Sequence, residues 1–256
     1  MPLARGCLED ADIEYADYTS HYTIDAHDMP MPEDMSHFRR EAERRRLRFV
    51  AGSVPSDGVR RVLEAGTGAG WMAEMLTARG FDVYPFDIGA DSLKRASQRN
   101  HERDGALPFT LADIYRLPFS DGSFDAVTVS EVIEHLGSPL DALKELARVV
   151  RPGGWLIMSA PYRERIEYTL CVHCNQRTPV NAHLHSLDED TVNRLFDESG
   201  WELDRLTPFV NRPAERFGFS GFTPFLPQWA WRFADAAFCQ VLKRQSFMMA
   251  RGRRHA

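Results

Sequence analysis

The stretch Arg60-Arg61-Val62-Leu63-Glu64-Ala65-Gly66-Thr67-Gly68-Ala69-Gly70-Trp71 limits what this chain can fold into more than any other. A short apolar run from Val62 to Ala65 stops at three alternate glycines and leads into Met72-Ala73-Glu74-Met75-Leu76, whose composition favours a helix. The pattern reads as buried strand, tight turn, helix. Glycines suit such a turn because the chain reverses sharply and its N–H groups must approach a ligand with no Cβ in the way. The stretch is read as a nucleotide cradle formed by Gly66, Gly68 and Gly70. Its Gly-x-Gly-x-Gly spacing departs from the Gly-x-Gly-x-x-Gly of dinucleotide binders. A second apolar run, Phe81 to Phe86, ends in Asp87, about twenty residues past the first glycine, where an α/β nucleotide fold places the carboxylate that binds ribose hydroxyls.

From 60 to 160 strand and helix patterns alternate, which implies an α/β protein with a mainly parallel sheet covered on both faces. Ala90 to Arg103 reads as a helix, Phe109 to Ala112 as a short third strand, Phe124 to Ser130 as the fourth, Pro139 to Val150 as a helix and Trp155 to Ala160 as the fifth strand. Ligands of such sheets lie at the carboxyl ends of the strands, and Glu64, Asp87, Asp113 and Glu131 all fall near those ends.

Four landmarks resemble the class I S-adenosylmethionine (SAM)-dependent methyltransferases, in order and at that family's spacing. Val62 to Gly70 resembles their first motif. Leu111-Ala112-Asp113-Ile114, followed by Leu117 to Asp125, is similar to their adenine-binding acidic turn. Val127 to Leu136 resembles the fourth strand with its substrate-facing end, and Leu146 to Ile157 the helix, turn and fifth strand that follow. The resemblance implies a Rossmann-like, seven-stranded, mostly parallel sheet with helices on both faces and an antiparallel last strand. Trp201 to Val210 is the expected sixth strand and Ser246 to Ala250 the seventh. It also implies SAM as cofactor, with Gly66, Thr67, Gly68 and Gly70 in the cradle and Asp87 and Ile88 at the ribose. Asp113 and Ile114 then meet the adenine, Glu64 the methionine ammonium, and Ser130 and Glu131 complete the set.

The sulfonium of SAM already carries an activated methyl group, so the protein must align a nucleophile and, for a hydroxyl, remove its proton. His135, beyond the fourth strand, is the expected base, since histidine titrates near neutrality. A second constellation, Cys171-Val172-His173-Cys174 with Asn181-Ala182-His183-Leu184-His185, offers two thiolates and two imidazoles. Cys171, Cys174, His183 and His185 are therefore the expected ligands of a structural zinc. The stretch Glu131-Val132-Ile133-Glu134-His135, with the later His185, also resembles metal-dependent small-RNA 2′-O-methyltransferases, in which two glutamates and two histidines hold Mg²⁺. It resembles the same stretch of quinone-biosynthesis O-methyltransferases as well.

Residues 1–50 read as an N-terminal arm and a basic helix. Met29-Pro30-Met31-Pro32 blocks regular structure, and Tyr15, Tyr18, His21 and Tyr22 are candidates for a lid over the site. Phe38 to Val50 carries six arginines against two glutamates and reads as a solvated helix packed by its few apolar residues, with a phosphate-bearing or anionic substrate as the other explanation of its charge. Residues 51–256 form the main domain, with insertions at about 161–187, the Cys/His loop, and 211–244, a cap dense in Phe and Trp. The cap reads as core packing, an apolar substrate wall or a membrane-surface element beside Lys243 and Arg244. A net charge of −6 gives no general attraction to nucleic acid, so none is expected as partner. Four unevenly spaced cysteines, with no apolar opening segment or transmembrane run, fit a cytoplasmic protein. The expected activity is methyl transfer to a small or lipid-linked acceptor, with oxygen as the expected target atom. Two alternatives stand beside it, an NAD-dependent oxidoreductase and a non-catalytic SAM-binding or zinc-stabilised interaction protein.

Overall fold

The computed structural model describes residues 17–28, 30–103 and 105–256. The first 16 residues, and with them Cys7 and Tyr15, lie outside the described part. Tyr18–Asp28 forms α1 and His37–Gly52 forms α2, so the lid candidates Tyr18, His21 and Tyr22 sit on a helix rather than on an irregular arm. The main domain begins with β1 (Arg61–Ala65), α3 (Trp71–Thr77), β2 (Asp82–Asp87) and α4 (Ala90–His101). It continues through β3 (Thr110–Leu111), β4 (Phe124–Ser130), α5 (Pro139–Val149) and β5 (Val150–Pro161). The Cys/His insertion is a hairpin of β6 (Tyr168–Leu170) and β7 (Arg177–Pro179). After α6 (Glu189–Ser199) and β8 (Trp201–Asn211), the aromatic cap resolves into α7 (Arg212–Arg216), α8 (Phe219–Phe222) and α9 (Gln228–Leu242). β9 (Gln245–Arg254) ends the sheet.

The seven strands lie in the order β3-β2-β1-β4-β5-β9-β8. β9 runs antiparallel to both β5 and β8, while the pairs from β3 to β5 are parallel. The sheet is the expected one, with a longer β9 and a third strand of only two residues. Its two faces bury alternate residues of the same strands. Leu63, Val127 and Val129 join Leu143, Phe196 and Trp201 on the α5–α6 face. Val62 and Ala126 join Val50, Leu76 and Trp231 on the face covered by α2, α3 and α9. This double burial explains why the parallel strands read as continuous apolar runs.

The basic helix α2 packs through its few apolar residues, Leu47, Val50 and Ala51, and leaves Arg39 and Arg48 exposed, but two of its arginines are buried. Arg45 is 1% exposed and donates to the carbonyls of Thr223 (2.8 Å) and Leu226 (2.6 Å), capping the turn between α8 and α9. The Thr223 carbonyl also accepts from the Leu226 N–H (3.1 Å), so the guanidinium reinforces a turn that the backbone already closes. On the next position of the same helix, Arg46 points instead towards the carboxyl end of β4.

Candidate active site

The cradle follows from β1 running into α3 through glycines that only their own backbone freedom allows. Gly66 has φ +68°, and a Cβ there would stand 2.3 Å from Val132 Cγ2. Gly70, at φ +78°, precedes α3 and opens it. The N–H of Gly68 donates to Asp87 Oδ2 (2.9 Å), and that of Gly89 to Oδ1 (2.9 Å), so the ends of β1 and β2 are tied through one carboxylate. Burial raises the Asp87 carboxyl against these N–H groups. Glu64, at 3% exposed, accepts a hydroxyl bond from Thr67 Oγ1 (2.7 Å) and is approached by the Ala73 N–H, yet burial pushes its carboxyl up to about 8.

Two cavities meet at this turn. The first, about 130 Å³, is mostly apolar and lies between Phe86, Ile114, Val132 and Tyr115, with Asp87 and Asp113 at its edge. Ile88 borders it too. α1 closes it: Tyr18 Oη donates to Asp113 Oδ2 (2.5 Å) and its ring meets Tyr115 edge-on, while Tyr22 Oη donates to the His135 carbonyl. An apolar slot with a carboxylate acceptor at one end fits a nucleoside. The second cavity, about 580 Å³, runs from Glu64, Thr67 and Gly68 past Ser130 and Glu131 to Arg46, Glu164 and His183. A buried carboxylate and the glycine N–H groups on its wall fit the charged amino-acid end of SAM.

The end of β4 is held in an unusual conformation. Glu131 has φ +55°, a region that non-glycine residues enter at a cost, and its carboxylate turns into the second cavity. There it pairs with Arg46 (3.1 Å) and accepts from Ser159 Oγ (3.2 Å), while Ser130 Oγ lies 3.1 Å from Arg46 Nη1. Burial raises the Glu131 carboxyl despite the arginine. Glu134 follows, 1% exposed, and neither of its carboxylate oxygens has a hydrogen-bond partner among the described residues. Burial, reinforced by the Glu131 charge, holds its carboxyl far above the usual carboxylate range. His135 Nε2 stands 4.0 Å from Glu134, its ring meets that of His183 edge-on, and burial with His183 nearby pushes its imidazole down to about 4. Ligand atoms of Glu134, His135 and His183 all lie within 4.8 Å of one another.

The expected zinc set does not assemble. His183 Nδ1 is bonded to Glu164 (2.5 Å) and His185 Nε2 to the Leu136 carbonyl (2.7 Å), and no group of three ligands among the described residues includes a cysteine. Both histidines sit against the β4 end because the segment after β7 folds back there, with the N–H groups of Leu184 and His185 donating to the Glu134 carbonyl. Cys171 and Cys174 stay at the hairpin turn, where the N–H groups of Cys174 and His173 draw the Cys171 thiol below its usual range. The fourth member of the resemblance to metal-dependent enzymes is also corrected: His183, not His185, faces Glu134. Arg46 was not a sequence-level candidate. Its only signal is the Arg45-Arg46 pair on the apolar stripe of α2, where a solvated helix would carry neutral side chains.

A glycine cradle at the first strand, acidic residues at successive strand ends and an antiparallel last strand define a nucleotide-cofactor-binding α/β protein. Residues 63–158 match a family model described as a methyltransferase domain. The ubiquinone biosynthesis O-methyltransferase of Thiobacillus denitrificans is 30% identical over 176 residues, covering 66% of this chain and 75% of that protein. That of Chromobacterium violaceum is 32% identical over 178 residues, covering 67% and 76%. The demethylmenaquinone methyltransferase of Renibacterium salmoninarum is 36% identical over a shorter 116 residues, 45% and 47% of the two chains. Among solved structures, the [4+2]-cyclase SpnF superposes with a TM-score of 0.62 at 20% identity, covering 85% of this chain and 82% of that one. A SAM-dependent methyltransferase from Mesorhizobium loti gives 0.57 at 18%, covering 80% and 96%. The chain belongs to the class I SAM-dependent methyltransferases, a family that implies SAM as the methyl donor. The cyclase among the structural neighbours illustrates that the fold alone does not decide the reaction.

Proposed function

We propose that this methyltransferase transfers the methyl group to a hydroxyl oxygen of a small, quinone-type aromatic acceptor. The observation that carries the reading is Glu134, a buried carboxylate without a hydrogen-bond partner among the described residues, beside His135 and His183 where the two cavities meet the end of β4. A group left unsatisfied in that way is costly unless the working enzyme fills it. In this reading Asp87 and Ile88 hold the ribose, Asp113 and Ile114 the adenine, and Gly66, Thr67, Gly68, Gly70 and Glu64 the methionine end. Ser130 and Glu131, fixed by Arg46, border the reacting methyl group. His135, neutral at pH 7, takes the proton of the hydroxyl. The oxygen target and the quinone-type acceptor are supported by the relatives, two of which are ubiquinone biosynthesis O-methyltransferases.

One observation favours a second reading of the same residues. A carboxylate and two imidazoles within 4.8 Å, with the carboxylate otherwise unengaged, fit a divalent cation. When bound, such a cation polarises the acceptor hydroxyl. Glu134, His135 and His183 would hold it, and His135 would then be a ligand rather than a base.

Calorimetry comes first, with SAM binding and NAD not binding as the expected result. Turnover is then measured by mass spectrometry with a catechol-type acceptor, with and without a chelator. Glu134→Gln is expected to lower turnover about 100-fold or more while SAM affinity stays unchanged. Loss of turnover with chelator, restored by added Mg²⁺ or Zn²⁺, selects the cation reading; insensitivity to chelator selects the base. Full turnover by Glu134→Gln would sink both.

A further inference from the structure

The cap of α7, α8 and α9 is built inside out. Phe217, Phe222, Phe225, Trp229, Phe233 and Val241 are 66–81% exposed, on an insertion of the domain that contributes only a few side chains to the core. Along α9, Trp229, Phe233 and Val241 recur at multiples of four and so form one outward stripe with Ala237. The inward face holds Trp231, Cys239 and a charged group, Asp235, which is 1% exposed. A helix that buries a carboxylate beside its inner Trp231 while leaving large apolar side chains on its outer face departs from the usual amphipathic arrangement.

The charges of the cap are sorted in the same sense. Between 211 and 244 there are two acids, and both turn inward: Asp235 accepts from the N–H groups of Val210 (3.0 Å) and Asn211 (2.7 Å), and Glu215 accepts from Ser220 Oγ (2.5 Å). Arg232 also turns inward, over the Phe49 ring at 3.6 Å. The charges left exposed, Arg212, Arg216, Lys243 and Arg244, are all cationic, on a chain whose net charge is −6. The apolar patch continues onto α2 through Phe38, whose ring meets Phe222 edge-on at 5.0 Å.

We infer that this cap is an interfacial membrane element that seats the enzyme on an anionic bilayer. Exposed Phe and Trp with a cationic border match the chemistry of an acyl–headgroup boundary, where rings enter and Lys and Arg meet lipid phosphates. At about 1.5 Å per residue a helix the length of α9 is shorter than the ~30 Å hydrocarbon layer, so it lies on the membrane rather than across it. No helix among the described residues is long and apolar enough to cross. A second copy of the chain is a poorer occupant, because a two-fold contact through this face would bring the cationic borders together. The inference stands on the cap alone and does not depend on which acceptor is methylated.

The test is flotation of the full chain with vesicles of phosphatidylcholine alone or mixed with phosphatidylglycerol, at low and high salt. Phe225→Ser/Trp229→Ser/Phe233→Ser and Arg216→Glu/Lys243→Glu/Arg244→Glu are run beside the wild type. These positions are exposed and lie outside the two cavities, so SAM affinity and turnover on a soluble acceptor serve as the check that the fold is intact. The expected result is binding to the anionic vesicles that falls at least tenfold in either variant and with salt. Absence of binding to every vesicle, or binding that neither variant reduces, overturns the inference. So does a concentration-dependent dimer in ultracentrifugation that the Phe/Trp variant abolishes without any vesicle binding.

Discussion

At the scale of single residues, the carboxylates at the strand ends were legible because glycine spacing and strand length fix where a chain of this kind turns. Glu64 and Asp87 stand at such turns, and the structure adds their chemistry. Burial lifts Glu64 from its ordinary 4.5 to about 8, so in the cofactor-free protein it carries a proton at pH 7. The folded chain then binds more protons than the unfolded one between those two values. Its stabilising share is complete below about pH 4.5 and is lost as pH rises through about 8, which gives a stability that falls across that window. On the proposed assignment, the ammonium of SAM faces this carboxyl and favours its charged form, so binding releases a proton near neutrality. Calorimetric titration in buffers of different ionisation enthalpy should therefore return a release of up to about one proton per SAM at pH 7. Glu64→Gln should abolish the buffer dependence and weaken binding about tenfold, the order expected for one charge-assisted contact. Identical buffer dependence in the variant would detach Glu64 from the ammonium. Glu134 and His183, by contrast, are adjacent only through a fold-back of the chain after β7, and no local spacing announces that.

The elements follow the same division. β1, β2, β4 and α5 announce themselves by apolar runs and periodicity, since each buries a continuous face in the sheet layers. α1 does not, because its ties are polar and distant in sequence, and α2, legible as a helix with an apolar stripe, gives no sign of the polar contacts that fix it. α1 is tied by tyrosine hydroxyls to Asp113 and the His135 carbonyl, and α2 by two buried arginines. Arg46 is the more informative of the pair. It spans Glu43 (2.7 Å) and Glu131 (3.1 Å), and these carboxylates hold its guanidinium charged against the pull of burial. Removing one partner of such a set leaves the other buried and uncompensated, at about 3–5 kcal/mol, whereas replacing both with neutral groups costs far less. Arg46→Met alone should therefore lower the urea midpoint strongly. Arg46→Met combined with Glu131→Gln should recover most of the loss in stability while SAM binding or turnover stays impaired. If the two substitutions simply add, the pair is not the tether of α2 to the end of β4.

For the molecule as a whole, the question is whether the aromatic cap folds with the sheet or rides on it. The tie is Asp235, which receives the N–H groups of Val210 and Asn211 and the Arg232 guanidinium (3.1 Å) from inside the cap. Val210 has φ +59°, a conformation that a β-branched side chain enters only when its surroundings impose it. Those surroundings are the Asp235 carboxylate, so the strained end of β8 and the inner face of α9 support each other. Sequence reading could place the aromatic run and its helical stripe, but not this polar seam, because Asp235 lies on a stripe that looks apolar. Asp235→Ala strands two buried N–H groups and frees the turn, and should destabilise the protein by about 3 kcal/mol or more. Val210→Gly should be less harmful in that background than in the wild type, since the turn it relaxes is no longer enforced; the non-additivity of the two changes measures the coupling. Urea unfolding followed by far-ultraviolet circular dichroism and by tryptophan fluorescence, in the wild type and in Trp229→Phe/Trp231→Phe so that the difference reports α9 alone, decides the larger point, because Trp71, Trp155 and Trp201 lie in the main domain. Coincident transitions mean that cap and sheet unfold together. A fluorescence transition that runs ahead of the loss of sheet would mean that the cap opens on its own, and that Asp235 is a hinge rather than a tie.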